Sequence, residues 1–293
     1  MPQNFNLRII GERINPGFKS TRELFEKSDL PGIQALAVKQ AEAGARYLNV
    51  NIGARALTDP DFMVRAIRAI QEVTDLPLSF DFPSLAVQRA CFEAYDPARA
   101  GGRPPVINSI TEHRWDLMEL ARDYKFQVIL MASERVEDGV ARSNKTADEI
   151  YATARRCALR LRGEYGMAMD DIIVDMSVSA IIADTERLNR NTLDAIARVG
   201  ADADLKGIHM MGGLSNIGQQ LPPRAADGSD LKHGLECAFL TIAVPLGFDT
   251  VLGTPWRDYH PLPEDHYVLT AYRNFLEQSG SNAMRAVRKL YRA

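Results

Sequence analysis

Short apolar runs alternate along this chain with longer stretches whose apolar residues recur at helical spacing. The eight runs are Leu7–Ile10, Tyr47–Val50, Leu76–Phe80, Pro105–Ile107, Gln127–Met131, Ile172–Val174, Lys206–Met211 and Asp249–Leu252. Strands that alternate with crossover helices are typical of a parallel sheet. Because the strand–helix units form one unbroken series, the pattern predicts a closed (β/α)8 TIM barrel rather than an open doubly wound sheet.

Capping residues predict where several of the crossover helices begin and end. Asp59-Pro60 opens one helix, Ser84 is the N-cap of another, and Gly44 ends the first. The predicted helices include Phe62–Val73, Ser84–Tyr95, Thr146–Tyr165, Leu231–Leu246 and Asp265–Glu277, and a basic amphipathic tail helix covers 282–292. We interpret the 293 residues as a single domain, with the barrel over about residues 7–278 followed by the tail helix.

Composition narrows the class of protein. The chain is 46% apolar and 25% charged with a formal net charge of -3, which favours a folded domain and gives no reason to expect nucleic acid or a membrane as partner. Cys91, Cys157 and Cys237 are widely spaced, so we expect buried thiols in a reducing cytoplasm. The N-terminus lacks a signal-peptide pattern, and no HxxH, HExxH or CxxC spacing occurs. No bound metal is expected.

Polar side chains follow several of the predicted strands. They are Glu12, Asn51, Asp81, Asn108 and Asp175, with Ser215–Asn216 just beyond the seventh strand. In a barrel the carboxyl ends of all strands face one mouth, so these groups should converge there although they are far apart in sequence. The structural alternative is that each one caps a helix or binds a loop amide.

The segment HMMGGLSNIGQQLP at residues 209–222 is the most specific of these features. Its glycines, Gly213 among them, allow close backbone approach to a ligand, and Ser215 and Asn216 follow directly. Loops after the seventh strand often bind charged groups in barrel enzymes. An ordinary glycine turn with an N-cap serine is the alternative.

Together these motifs resemble a known family. GERIN at 11–15, GARYLNVNIG at 44–53, the strands ending in Asp81 and Asp175, INS at 107–109 and GGLSNIG at 212–218 are similar to the pterin-binding methyltransferases that use methyltetrahydrofolate. That family includes methyltetrahydrofolate:corrinoid protein methyltransferases and the folate module of cobalamin-dependent methionine synthase. Dihydropteroate synthases are more distantly similar. The resemblance covers about residues 8–255.

The resemblance implies that Asp81, Asn108 and Asp175 hold the pterin ring, whose pyrimidine edge offers adjacent N–H donors to a carboxylate. Methyl transfer at N5 of tetrahydrofolate needs a hydrogen bond to N5 in the transition state, and Asn216 matches the family residue given that role. We expect Glu12, Asn51, Ser215 and Gly213 to line the same pocket, with Asn51 equally explained by a structural hydrogen bond.

Two positions depart from the family pattern. Many relatives carry Asp where this chain has Asn49, and Pro where it has Met176, which leaves the charge of the pocket and the identity of the pterin open. No DxHxxG segment typical of cobalamin binding is present, so the corrinoid is expected on a partner protein.

The sequence thus favours a cytoplasmic enzyme that moves a methyl group between N5 of tetrahydrofolate and the cobalt of a separate corrinoid protein, in either direction. We also expect a homodimer. Two alternatives stay open: a dihydropteroate-synthase-like condensing enzyme, and a pterin-binding subunit without catalytic activity. In the second, Arg285, Arg288, Lys289 and Arg292 of the tail would form a docking helix rather than a solvated face.

Overall fold

The computed structural model describes residues 4–292 and contains the predicted barrel. Its strands in chain order are β1 Arg8–Ile14, β2 Tyr47–Val50, β3 Leu78–Asp81, β4 Val106–Ile110, β5 Gln127–Met131, β6 Glu134–Glu137, β7 Val140–Ser143, β8 Ile172–Asp175, β9 His209–Gly213 and β10 Thr250–Gly253. Eight of them close into a ring in the order β1-β10-β9-β8-β5-β4-β3-β2, and every pair in the ring is parallel. The predicted fold class is confirmed.

Ten α-helices of the described chain surround the ring or extend from it. They are α1 Lys19–Glu26, α2 Leu30–Glu42, α3 Arg55–Thr58, α4 Pro60–Val73, α5 Leu85–Ala94, α6 Ala147–Tyr165, α7 Leu188–Ala201, α8 Leu231–Ala243, α9 Tyr267–Leu276 and α10 Gly280–Lys289. Asp59 caps α4 by accepting a hydrogen bond from the Phe62 N–H, and Thr146 and Glu149 form a capping box at α6. None of the described helices is both long and apolar enough to cross a bilayer.

Several predicted elements differ in detail. The Ser84 side chain makes no cap hydrogen bond although it precedes α5. The connection from β4 to β5 contains a 3-10 helix of eight residues, Trp115–Arg122, in place of an α-helix. Its buried residues Leu117, Met118 and Leu120 cover the sheet. The helix predicted over Leu231–Leu246 is α8 and ends at Ala243, because Pro245 turns the chain into a short 3-10 helix. The tail helix begins at Gly280 and ends at Lys289.

The antiparallel hairpin of β6 and β7 was not predicted from the sequence. Its turn is Asp138-Gly139, and both residues have positive φ, 52° and 77°. That backbone is typical of a type I′ turn, for which an Asp-Gly pair is a strong sequence signal. The hairpin leaves the barrel directly after β5, on the same face as the carboxyl ends of the strands.

Candidate functional site at the barrel mouth

Alternation along the strands decides which side chains enter the barrel. One buried cluster consists of Ile10, Tyr47, Val106, Ile129, Ile173 and Met211, whereas their strand neighbours pack in the larger core that includes the helices. Successive strand residues face opposite sides of a sheet. Glu12, Asn49, Asn108, Asp175 and Gly213 each follow a member of the inner cluster by two positions, so they continue the inward face to the mouth.

Asp81 is the centre of a hydrogen-bond network on β2, β3 and β4. Its Oδ2 accepts hydrogen bonds from Nδ2 of Asn49 and Nδ2 of Asn51, each at 3.0 Å. The Oδ1 of Asn49 in turn accepts from Nδ2 of Asn108 at 3.0 Å and from Oγ of Ser79 at 3.1 Å. The register of the sheet places Asp81 beside Asn108, as the predicted convergence requires.

Asn49 organises this network and is 1% exposed. Its carboxamide donates to one neighbour and accepts from two others, which a carboxylate with acceptors alone could not do in the same way. In the sequence Asn49 was noted only as a departure from the family pattern, and its place in the network was not predicted. The alternation of side chains along β2 could have predicted that Asn49 faces inward, since it lies two residues after the inward Tyr47 and two before Asn51.

Asp175 ends β8 and lies beside Met131 of β5 in the sheet register. Its Oδ1 accepts a hydrogen bond from the Ser177 N–H at 2.8 Å, and burial raises the pKa of Asp175 to about 6 despite that bond. Two buried polar atoms near Asp175 have no hydrogen-bond partner among the described residues. They are Oγ of Ser177 and Nε of Arg114. Nη2 of Arg114 lies 3.5 Å from Sδ of Met131.

Glu12 lies within β1 rather than after it, because the strand extends to Ile14. The carboxylate is 7% exposed and accepts hydrogen bonds from Oγ1 of Thr254 at 3.1 Å and Oγ of Ser215 at 3.2 Å. Burial raises the pKa of Glu12, and the two hydroxyl donors oppose that effect. Glu12 therefore joins the ends of β1 and β10 to the loop after β9, and Thr254 is a contact that sequence analysis missed.

Asn216 lies in the 3-10 turn Leu214–Asn216 directly after β9. Oδ1 of Asn216 accepts a hydrogen bond from Nε2 of Gln219 at 2.7 Å. Nδ2 lies against Gly213, where an added Cβ would come within 3.0 Å of it. Gly213 has φ -77°, so this glycine is needed for the space that Asn216 occupies rather than for an unusual backbone angle.

The predicted residues therefore form three groups around one mouth. Asn51, Asp81 and Asn108 belong to the first, Asp175 stands alone on β8, and Glu12 and Ser215 form the third. Asn216 makes no hydrogen bond to any of these groups. The mouth thus offers carboxylate acceptors and carboxamide donors from several strand ends, an arrangement suited to a flat heterocycle with polar edges.

Comparisons with known proteins give relatives of this chain and solved structures with the same fold. A curated methylcorrinoid:tetrahydrofolate methyltransferase from Eubacterium limosum is 24% identical over 251 residues, 84% of each chain. Solved dihydropteroate synthases share the fold: one from Xanthomonas albilineans (TM-score 0.57, 16% identity, 88% of this chain and 95% of that one) and one from Thermus thermophilus (TM-score 0.59, 15% identity, 87% and 90%). The model of the pterin-binding enzymes matches residues 12–252. The chain belongs to the family of pterin-binding enzymes.

Proposed function

We propose that this protein transfers a methyl group between N5 of tetrahydrofolate and the cobalt of a corrinoid carried by a separate protein. The observation that carries the proposal is the Asn216 carboxamide beside a mouth lined with acceptors for a pterin. The relative named as a methylcorrinoid:tetrahydrofolate methyltransferase supports the same reaction, with the methylcorrinoid as donor. Membership of the pterin-binding family supports the folate substrate.

The pterin ring binds, in this proposal, between Asp175 on one side of the mouth and Asp81 with Asn108 on the other. The amino group and ring N–H of a pterin are adjacent donors that suit a carboxylate, and the carboxamide of Asn108 both donates and accepts. Glu12, Asn51, Gly213 and Ser215 complete the lining. The unpartnered Ser177 Oγ and Arg114 Nε near Asp175 are further groups that a polar ligand could satisfy.

When the methylcorrinoid is the donor, the N5 lone pair of tetrahydrofolate attacks its methyl carbon. The cobalt–carbon bond breaks, its electron pair stays on cobalt as cob(I)alamin, and the proton of N5 passes to solvent. In the reverse direction the methylated N5 keeps a lone pair, and a hydrogen bond donated to that lone pair stabilises the charge that N5 gains as its bond to the methyl carbon breaks. Nδ2 of Asn216 supplies that donor while Gln219 holds Oδ1.

The test is an assay of the purified chain with tetrahydrofolate and a methylated corrinoid protein, or free methylcobalamin. We expect equal amounts of methylcobalamin lost and 5-methyltetrahydrofolate formed, and the reverse reaction with 5-methyltetrahydrofolate and cob(I)alamin. Release of pyrophosphate from a pterin pyrophosphate with an aminobenzoate would instead favour the condensing enzyme. Tight pterin binding with no turnover in any of these mixtures would favour a non-catalytic subunit.

A further inference from the structure

A second cluster of reactive side chains lies beside the barrel mouth, outside the proposed pterin pocket. His233, Cys237 and His260 each present a ligand atom, and these three atoms lie within 4.8 Å of one another. The first two are one helical turn apart on α8 and so share a face of that helix. His260 belongs to the loop that follows β10.

We propose that His233, Cys237 and His260 bind one divalent transition-metal cation such as zinc. Cys237 would bind as a thiolate and release its proton to solvent, and the histidines would bind as neutral imidazoles. The distance from Cys237 Sγ to His233 Nε2 is 3.7 Å, which is close to the edge of a tetrahedron formed by bonds of about 2.3 Å to sulfur and about 2.0 Å to nitrogen.

The surroundings of both histidines also fit a metal site. Nδ1 of His260 lies 2.8 Å from the Asp258 carbonyl oxygen, a contact in which it donates and which leaves Nε2 free for the cation. Nδ1 of His233 lies 3.8 Å from Oε2 of Glu236. Metal-binding histidines usually donate their other ring N–H to a carboxylate or a backbone carbonyl, and both partners are present here.

Buried polar atoms without partners give independent support. Glu236 is 4% exposed, and its Oε2 makes no hydrogen bond among the described residues, nor does Nδ1 of His233. The other oxygen of Glu236 is held by Nη1 of Arg257 at 2.6 Å. Binding of a cation at Nε2 of His233 would fix the Nδ1–H tautomer and direct that proton at Glu236, and a shortening of the 3.8 Å separation would then give both atoms a partner.

The cation would tie the loop after β10 to α8. That loop also contains Thr254, which donates to Glu12, and Tyr259, whose hydroxyl lies 2.6 Å from the position of a Cβ added to Gly253. The side chains of His233 and His260 are 25% and 28% exposed, so a fourth coordination position can be filled by water. The spacing of His233 and Cys237 is HxxxC, which differs from the HxxH and CxxC patterns by which metal sites are recognised in a sequence.

Cobalt titration of the chelator-treated protein tests the site without reference to activity. We expect one Co²⁺ per chain with a thiolate-to-cobalt charge-transfer absorption band, and displacement of that band by zinc. Cys237→Ala should abolish the band and His260→Gln should weaken cobalt binding by at least about tenfold. Cys91→Ala and His113→Gln are matched controls, because Cys91 is an equally buried thiol on α5 and His113 is exposed and outside the cluster.

The proposal is wrong if wild type shows no charge-transfer band, or if the Cys237→Ala variant still shows it. Because Cys237 is fully buried, its replacement could impair folding. His260→Gln changes a partly exposed loop residue, and circular dichroism would show whether this variant is folded. A folded His260→Gln protein that binds cobalt as tightly as wild type would also overturn the proposal. None of these outcomes depends on the methyl-transfer reaction.

Discussion

Replacement of Asp175 by Asn should stabilise the free protein at neutral pH while it weakens pterin binding. Burial raises the pKa of Asp175 from an ordinary 3.8 to about 6, so the folded state binds this proton more tightly than the unfolded state does. The stability of the fold therefore falls as pH rises from about 4 to about 6, since the carboxylate must then be held ionised in a buried position.

The size of the effect follows from that pKa. A tenfold change in proton affinity corresponds to about 1.4 kcal/mol, so the ionised Asp175 costs the folded state about 3 kcal/mol at pH 8 and about half of that at pH 5. The carboxamide in Asp175→Asn carries no such cost, and its oxygen can still accept the hydrogen bond from the Ser177 N–H. We expect the variant to be more stable than wild type by up to about 3 kcal/mol at pH 8.

Urea denaturation of both proteins at pH 5 and pH 8 measures this difference. Asp265→Asn is the matched control, because Asp265 is exposed and its replacement should change stability little at either pH. The reasoning about burial would be refuted by an Asp175→Asn variant that is less stable than wild type at pH 8, or by a difference that does not change between the two pH values. Calorimetry should show tetrahydrofolate binding weakened by about 1.5–3 kcal/mol in the variant.

Three further predictions concern the mouth. In Asn216→Ala, methyl transfer should slow by about 100- to 1000-fold with little loss of folate affinity, and stopped-flow methylation of cob(I)alamin at a near-normal rate would exclude the residue from catalysis. Tetrahydrofolate should bind wild type about tenfold more weakly at pH 5 than at pH 7.5, because at pH 5 most Asp175 carboxyls are protonated. Calorimetry checks this, and the same pH dependence in Asp175→Asn would assign it to another group. Asn49→Ala should lower the free energy of unfolding by about 2–4 kcal/mol, because Asp81, Ser79 and Asn108 each lose a hydrogen-bond partner. In thermal and urea unfolding the exposed Asn274→Ala should show no such loss, and an equally small loss for Asn49→Ala would mean that the network contributes little.

The sequence by itself determined the class of fold. Apolar runs such as Tyr47–Val50 and Gln127–Met131 coincide with strands β2 and β5 residue for residue, because a strand buried on both faces needs apolar side chains on both. The helix start predicted at Asp59-Pro60 depends on local chemistry, and the hydrogen bond that Asp59 accepts at the start of α4 confirms it. Strand ends were less certain, as the extension of β1 past Glu12 shows.

Only the tertiary structure decided which polar groups meet. The partnership of Asn49 with Asp81 and Asn108 joins three strands, and it depends on sheet register, which no local pattern specifies. The closeness of His260 to Cys237 likewise depends on how the loop after β10 folds back on α8. Hydrophobic periodicity depends on residues that are close in sequence, whereas hydrogen bonds and metal coordination also join residues that are distant in sequence. A site built from distant segments therefore becomes visible only once the barrel has closed.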